Sequence, residues 1–438
     1  MPLNEQKESL EEAILRINGS KAELQKETTM TIWEQLFLPK YWQEFLNYKI
    51  NKQHLSAREQ TQLEEFIAQE KYLTVLSQAS EVYSDLLPIK KEVNKSGSSK
   101  KRVVYSFPED FNMVLKLLTY LLFRYDHFFA SNCYAFRRHY GVKDAIRRIR
   151  NTKNIHEKYC LKVDISNYFN SIDVPLLLEK LHFLEAEDKA VYDFLTGLLT
   201  TDKALNVDGD EPQILTEKRG AMAGTPISPF LANVYLMEMD HLFEQEGILY
   251  FRYSDDILIF ADTEEELTGL QARLYEYIET HKLAINPSKV HLSKPGEAFD
   301  FLGFSFHDYK VDLSDVTIRK MKDKIKRKAH SLRRWQQKKE LSGDRAAKGF
   351  IKAMNRKFYD NGEGTEFSWS RWFFPCLTTD EGLKEIDAYM QQYVRYCVTG
   401  RHYKGNYRIT YDQMKEWGYR SLVHEYYKQF KTTNPKEE

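Results

Sequence analysis

The 438-residue chain predicts an α+β fold. Short strand-like apolar runs lie among longer stretches of helical period, and this strand–helix order sets the class. A composition of 42% hydrophobic and 14% aromatic residues supports a core for two or three structural units. The clearest local signal is Phe251 to Phe260, where two apolar runs flank Ser254-Asp255-Asp256 and predict a tight hairpin.

The elements follow in order. Residues 1–90 read as helical. Ser9-Leu10-Glu11-Glu12 and Ser56-Ala57-Arg58-Glu59 resemble capping boxes, and apolar residues recur at helical spacing over 63–76. Asn94 to Arg102 predicts a small, flexible, basic turn, and Val103-Val104-Tyr105 a strand. Residues 111–129 predict an apolar helix and 141–150 a short basic one. Tyr159 to Val163 reads as a strand ended by Asp164, followed by an aromatic turn and a helix near 174–183. Residues 202–213, polar with Gly and Pro, predict a surface loop. Helices over 228–246 and 263–282 flank the hairpin, and short strands occupy about 298–313. Residues 317–341 predict a basic amphipathic helix with Ile318, Met321, Ile325, Leu332 and Trp335 on its apolar side. Residues 366–430 are aromatic and read as helical.

The formal net charge of zero hides segregation. Residues 91–160 carry 15 Lys and Arg against 6 Asp and Glu, residues 161–270 carry 7 against 22, and residues 321–360 carry 14 against 4. An acidic centre between two basic blocks points to metal chemistry flanked by polyanion-binding surfaces. Cys133, Cys160, Cys376 and Cys397 lie far apart with no Cys-x-x-Cys pair, so neither a zinc site nor a disulfide framework is expected. The N-terminal residues lack a basic-then-apolar signal, and the longest uncharged stretch, 220–237, is a poor membrane span. A reducing, cytoplasmic setting and no membrane partner are the expectation.

A Ser-Asp-Asp turn alone is most often a solvated turn. Asp255 and Asp256 gain meaning if a third carboxylate reaches them, and Asp164 does so if its strand pairs with the hairpin. Three carboxylates and a substrate phosphate suit two Mg²⁺ ions. Between them, Gly224-Thr225-Pro226-Ile227-Ser228-Pro229 predicts a loop running into a helix, with Gly224 allowing close backbone approach.

In this order the segments resemble the polymerase motifs of bacterial reverse transcriptases. Asp164 to Phe169 resembles motif A, and Gly224 to Asn233 motif B. Tyr253-Ser254-Asp255-Asp256 resembles motif C, Leu283 to Lys289 motif D, and Phe301-Leu302-Gly303-Phe304 motif E, the primer grip. Lys100-Lys101-Arg102 and Tyr134-Ala135-Phe136-Arg137 resemble finger segments of group II intron and retron enzymes. The match spans about residues 90–335. One departure is Ala223, where motif B usually has Gln.

The resemblance implies a right-hand polymerase: an N-terminal helical extension over 1–90, fingers over 91–160, an antiparallel palm over 161–313, a helical thumb over 314–360 and a C-terminal helical region over 361–438. It implies that Asp164, Asp255 and Asp256, with the Ile165 carbonyl, hold two Mg²⁺ ions. Lys101, Arg102 and Arg137 would grip the dNTP triphosphate, Gly224 would lie under the nucleotide, Phe169 would exclude a 2′-hydroxyl, and Lys289 would protonate pyrophosphate. Lys324, Lys328 and Arg334 on the thumb would track the template–primer backbone. Val398-Thr399-Gly400 matches a retron signature but lies far past motif E and reads as coincidence.

With both helical extensions, the chain looks most like the defence-associated (unknown-group and abortive-infection) reverse transcriptases. Such enzymes copy a companion non-coding RNA, or make DNA without a template, primed on the protein itself. Tyr389, Tyr393, Tyr403 and Tyr407 are candidates for priming or for packing and stacking on RNA. A maturase-like RNA binder is the alternative from another class. A DNA primer and product are implied partners, and a homo-oligomer stays open.

Overall fold

The computed structural model describes residues 30–53, 55–81, 87–94, 101–207, 211–359 and 368–433. The Ser9 capping box and residues 95–100 of the basic turn lie outside the described residues.

The chain opens on short helices. At Ser56 the expected capping box is formed, with the hydroxyl accepting from the Glu59 N–H and the Glu59 carboxylate accepting in return, ahead of helix Ala57–Ala68. The helical period over 63–76 is split, because Glu70 turns into the left-handed region (φ 48°) before a second helix, Lys71–Glu81. Trp42 and Tyr72 stack with ring centroids 4.9 Å apart, closing this layer on itself.

Strands β1 (Ile89–Asn94) and β2 (Lys101–Ser106) form an antiparallel ribbon. Residues 202–213 are not the expected loop. They contain β3 (Lys203–Asn206), which pairs parallel with β1, and they run into β4 (Gln213–Thr216), which pairs antiparallel with β3. Four-residue strands are too short to show a period of two, and they exist because β1 supplies an open edge. The predicted helix 111–129 ends early: Glu109–Leu121 is α-helical and Leu122–Phe128 tightens to a 3₁₀ helix.

The second sheet carries the site. Strand β5 (Tyr159–Asp164) lies at its centre beside β7 (Asp256–Ala261), with β6 (Leu249–Tyr253) and β8 (His291–Ser293) outside, and every pairing is antiparallel. Strand β7 is apolar on both faces because both are covered. Ile257, Ile259 and Ala261 join the core shared with the N-terminal helices, while Leu258 and Phe260 join a second core with the C-terminal half. One sheet is therefore the wall between two cores.

A third sheet follows, β9 (Phe299–Phe301), β10 (Phe304–His307) and β11 (Lys310–Leu313). Its first turn is Leu302-Gly303, both at positive φ (53° and 90°), which matches the twist of a two-residue hairpin. The Gly303 carbonyl accepts from the Ser314 N–H (3.0 Å) and the Thr317 hydroxyl (2.9 Å), hooking this turn to the start of the basic helix Asp315–Lys338. That helix packs with Gly343–Phe358 and Glu381–Thr399 in a bundle. Val398-Thr399-Gly400 ends the third of these helices, with Gly400 in the left-handed C-terminal position (φ 75°). A Cβ on Gly343 would strike the Val398 carbonyl, so these residues are remote in sequence but adjacent to the bundle's second helix in space.

Candidate active site

The register of β5 and β7 places Asp164 directly opposite Asp256. The Ile165 N–H donates to the Asp255 carbonyl at 3.1 Å, so the third carboxylate-bearing residue is tied to the same strand end. The hairpin turn that presents Asp255 is made by Ser254 at φ 62°, a conformation usually left to Gly, Asn or Asp. The segment from Leu283 closes the other side: the Ser166 N–H donates to the Ala284 carbonyl (2.7 Å) and the Asn286 N–H to the Asp164 carbonyl (2.9 Å). These bonds use the Ile165 N–H, and its carbonyl is not among their acceptors.

Burial, then the Asp164 charge, push the Asp255 carboxyl above its ordinary range. Burial also raises Asp256, opposed by Lys162. Two lysines answer the acidic cluster. Lys289 Nζ forms an ion pair with Asp164, and Lys162 Nζ stands 3.6 Å from Asp256. Among the described residues no group of three or more His, Cys, Asp and Glu side chains is gathered closely enough to hold a metal ion. The donor type is nevertheless that of a hard divalent cation: carboxylates at one strand end, which the two ammonium groups now face.

Phe169 is half-buried, and its ring meets Phe136 edge-on at 6.1 Å. Phe136 in turn lies 6.2 Å from Tyr253 of the hairpin. Gly224 (φ 102°) sits so close to β2 that a Cβ would meet the Tyr105 carbonyl at 2.9 Å. Ala223 is buried beside it. Its carbonyl accepts from the Tyr105 N–H (2.7 Å) and its N–H donates to Asn170 Oδ1 (2.8 Å). Asn170 Nδ2 also reaches the Val103 carbonyl (3.1 Å), so one amide side chain joins the glycine loop, β2 and the turn after Asp164.

The basic residues separate. Lys101 and Arg102 lie at the exposed start of β2, where Lys101 pairs with Glu92 at 2.7 Å. Arg137 is not placed for a triphosphate. Its guanidinium is buried and bonded to Asp126 Oδ1 (3.1 Å) and to the carbonyls of Ala130 (2.7 Å), Cys133 (3.0 Å) and Asp126 (2.9 Å). The donors expected to grip phosphate are consumed in folding the loop. Of the four tyrosines, Tyr393 is buried and Tyr407 is the most exposed, with the Arg395 guanidinium 5.1 Å from its ring.

Sequence reading missed the support beneath the hairpin. Arg252 and Asp240 are both fully buried, joined through Nε–Oδ1 at 2.7 Å and a second contact from Nη2. Tyr250 donates to the same carboxylate (2.9 Å), and Arg252 Nη1 reaches the Ser254 carbonyl (3.3 Å). Burial opposes the charge on Arg252, but Asp240 outweighs it and holds its pKa above the ordinary value. The only signal in the sequence was an Arg set within an otherwise apolar and aromatic run.

Acidic residues at the end of an antiparallel sheet, a glycine loop clamped beside them and a basic helical bundle hooked to the next sheet define an α+β right-hand polymerase. The family described as "Reverse transcriptase (RNA-dependent DNA polymerase)" matches residues 89–306, just under half of the chain. It is similar to the retron Ec86 reverse transcriptase of Escherichia coli, 23% identical over 178 residues, covering 40% of this chain and 50% of that protein. It is also similar to the retron Ec83 reverse transcriptase of Escherichia coli, 28% identical over 178 residues, 36% of this chain and 54% of that protein. The chain thus spans about half the length of the curated relatives it matches. Among solved structures, telomerase from Candida albicans in complex with a telomeric RNA fragment aligns over 82% of this chain and 71% of that chain, at 13% identity and a TM-score of 0.43.

Proposed function

We propose that the chain is an RNA-directed DNA polymerase that joins dNTPs to a primer 3′-hydroxyl on a bound structured RNA. The observation that carries this reading is the register that sets Asp164 opposite Asp256 while Ile165 is bonded to Asp255. Asp164, Asp255 and Asp256 would hold two Mg²⁺ ions. Bound there, the ions lower the pKa of the primer hydroxyl and neutralise charge on the triphosphate and pyrophosphate.

The chain's own residues do the rest. The Asn170 clamp fixes the Gly224 loop as a flat platform for the nucleotide. Phe169 excludes a 2′-hydroxyl. Lys289, which pairs with Asp164, would protonate the leaving pyrophosphate. Lys101 and Arg102 reach the triphosphate from β2. The proposed division is fingers (91–160), palm (161–313) and thumb (314–360), with helical regions at 1–90 and 361–438.

The thumb is supported as a polyanion seat by a groove of about 850 Å³ between Asp315–Lys338 and Gly343–Phe358. Lys324, Arg327, Lys328, Lys352, Arg356 and Lys357 line it, with no carboxylate among the described lining residues. Burial, then the neighbouring Lys357, Arg327 and Lys320, press the Lys324 pKa down, a strain that phosphates relieve. A cytoplasmic antiphage role with a companion non-coding RNA fits the retron likeness. Among the described residues no helix is long and apolar enough to cross a membrane.

The test is to purify the protein, sequence the RNA and DNA bound to it, and repeat with Asp255→Ala/Asp256→Ala. Templated synthesis requires cDNA that matches the bound RNA and disappears in the variant. Random or homopolymeric DNA would replace this reading by template-independent synthesis, and RNA with no DNA in either protein by a maturase-like binder.

A further inference from the structure

We infer that a second nucleic-acid subsite lies beside the sheet that carries the aspartates, between the segment Arg138–Asp144 and the segment Arg371–Trp372, and that it takes an unpaired nucleotide by stacking its base and gripping its phosphates. The identity of that strand, template or primer, rests on the polymerase reading. The subsite itself rests on its own walls.

Those walls enclose about 580 Å³, room for one or two nucleotides. They present two rings, Tyr140 and Trp372, and three cations, Arg138, Lys143 and Arg371. The wall also carries one carboxylate, Asp144, which stands 3.5 Å from Arg147. Tyr140 is 39% exposed and is held by the Arg137 guanidinium, 4.2 Å from its centroid. This gives the buried Arg137 a purpose: it folds the loop and fixes the ring. Gly141 starts the helix Val142–Asn151 with no capping side chain, and a Cβ there would meet only open space. The helix's positive end therefore borders the same cavity as the three cations.

Both walls are anchored to the polymerase centre. On one side the Tyr134 N–H donates to the Arg252 carbonyl (2.9 Å), and Phe136 packs against Tyr253. On the other, Phe373 packs against Phe304 at 5.1 Å, next to the Leu302-Gly303 turn. Aromatic faces interleaved with cations select single-stranded nucleic acid, since each unpaired base offers a π-face that a duplex hides.

The experiment uses the full chain and a fluorescent 12-nucleotide single strand, with affinity followed against salt. Lys143→Gln/Arg371→Gln is expected to weaken binding roughly tenfold and to reduce the slope of log K against log salt by about 0.7 for each phosphate no longer neutralised. Trp372→Ala should weaken binding with the slope kept, as removal of a stacking face does, and unchanged thermal melting certifies the fold of each variant. Unchanged affinity and slope in a folded double variant would overturn the subsite. Photocrosslinking with 5-iodouracil placed in either template or primer then assigns the strand: adducts on Tyr140 or Trp372 support the subsite, and adducts confined elsewhere sink it. Incorporation of dNTPs, measured in parallel on wild type and Asp255→Asn, judges the polymerase reading separately. Variant-sensitive binding without incorporation would remove that reading and leave the subsite standing.

Discussion

Asp255 and Asp256 sit where folding works against them. Their carboxyls are raised by burial, so the folded protein binds protons there more readily than the unfolded chain. The stabilisation this gives is present at low pH and is lost as the pH rises through the raised values. Asp255→Asn should therefore melt higher than wild type in chelator at neutral pH, and the gap should shrink on acidification as the wild-type carboxyl protonates. Thermal melts at several pH values check this, and equal curves would remove the electrostatic account. Added Mg²⁺ should raise the melting temperature of wild type more than that of the variant. Phe169 makes a second prediction at this scale. Phe169→Ala should raise the ratio of rNTP to dNTP incorporation by about tenfold or more, because excluding one hydroxyl rests on the shape of one ring. An unchanged ratio would remove the gate.

Among elements, the hairpin β6–β7 depends on what lies beneath it. The Arg252–Asp240 pair is sealed from water, and removing one partner leaves the other charged and buried. Arg252→Met is expected to cost about 3–5 kcal/mol, while Arg252→Met with Asp240→Leu should recover most of that loss. Urea unfolding of the two single variants and the double variant measures this. Additive losses would mean that the pair does not act as a unit. The hairpin was legible because its apolar runs are long and its turn residues distinctive. Strands β3 and β4 were not legible, since four residues carry no period and their pairing comes from β1, more than a hundred positions earlier. The helix from Asp315 was legible to within a few residues, because Ser314 caps it and its apolar positions recur at helical spacing.

Across the whole molecule, charge segregated along the chain becomes charge segregated in space. The block over 321–360 folds back so that two helices face each other across a cationic groove, and Lys324 and Lys328 share it with Lys352 and Lys357. Arg334 does not line it. Replacing Lys328 and Lys352 together by Gln should lower nucleic-acid affinity without sequence preference. It should also reduce the salt slope by about 0.7–0.9 for each phosphate that the groove ceases to neutralise. Filter binding at several salt concentrations reads both, and a variant with the wild-type slope would remove the groove from the nucleic-acid path.

By itself the sequence determined which residues are candidates for the chemistry: the order of Asp164, the Gly224 loop, Asp255-Asp256, Lys289 and Leu302-Gly303 is held by residue type and spacing. Only the tertiary structure decided which charges are available for that chemistry. Arg137 reads as a phosphate ligand until its donors are seen bonded to Asp126 and the carbonyls of Ala130 and Cys133. Arg252 reads as one more basic residue until Asp240 is seen against it. A guanidinium has the same composition on the surface and in the core. Its role is set by whether its hydrogen bonds go to the protein or to a ligand, and that choice is made by residues distant in the chain and near in space.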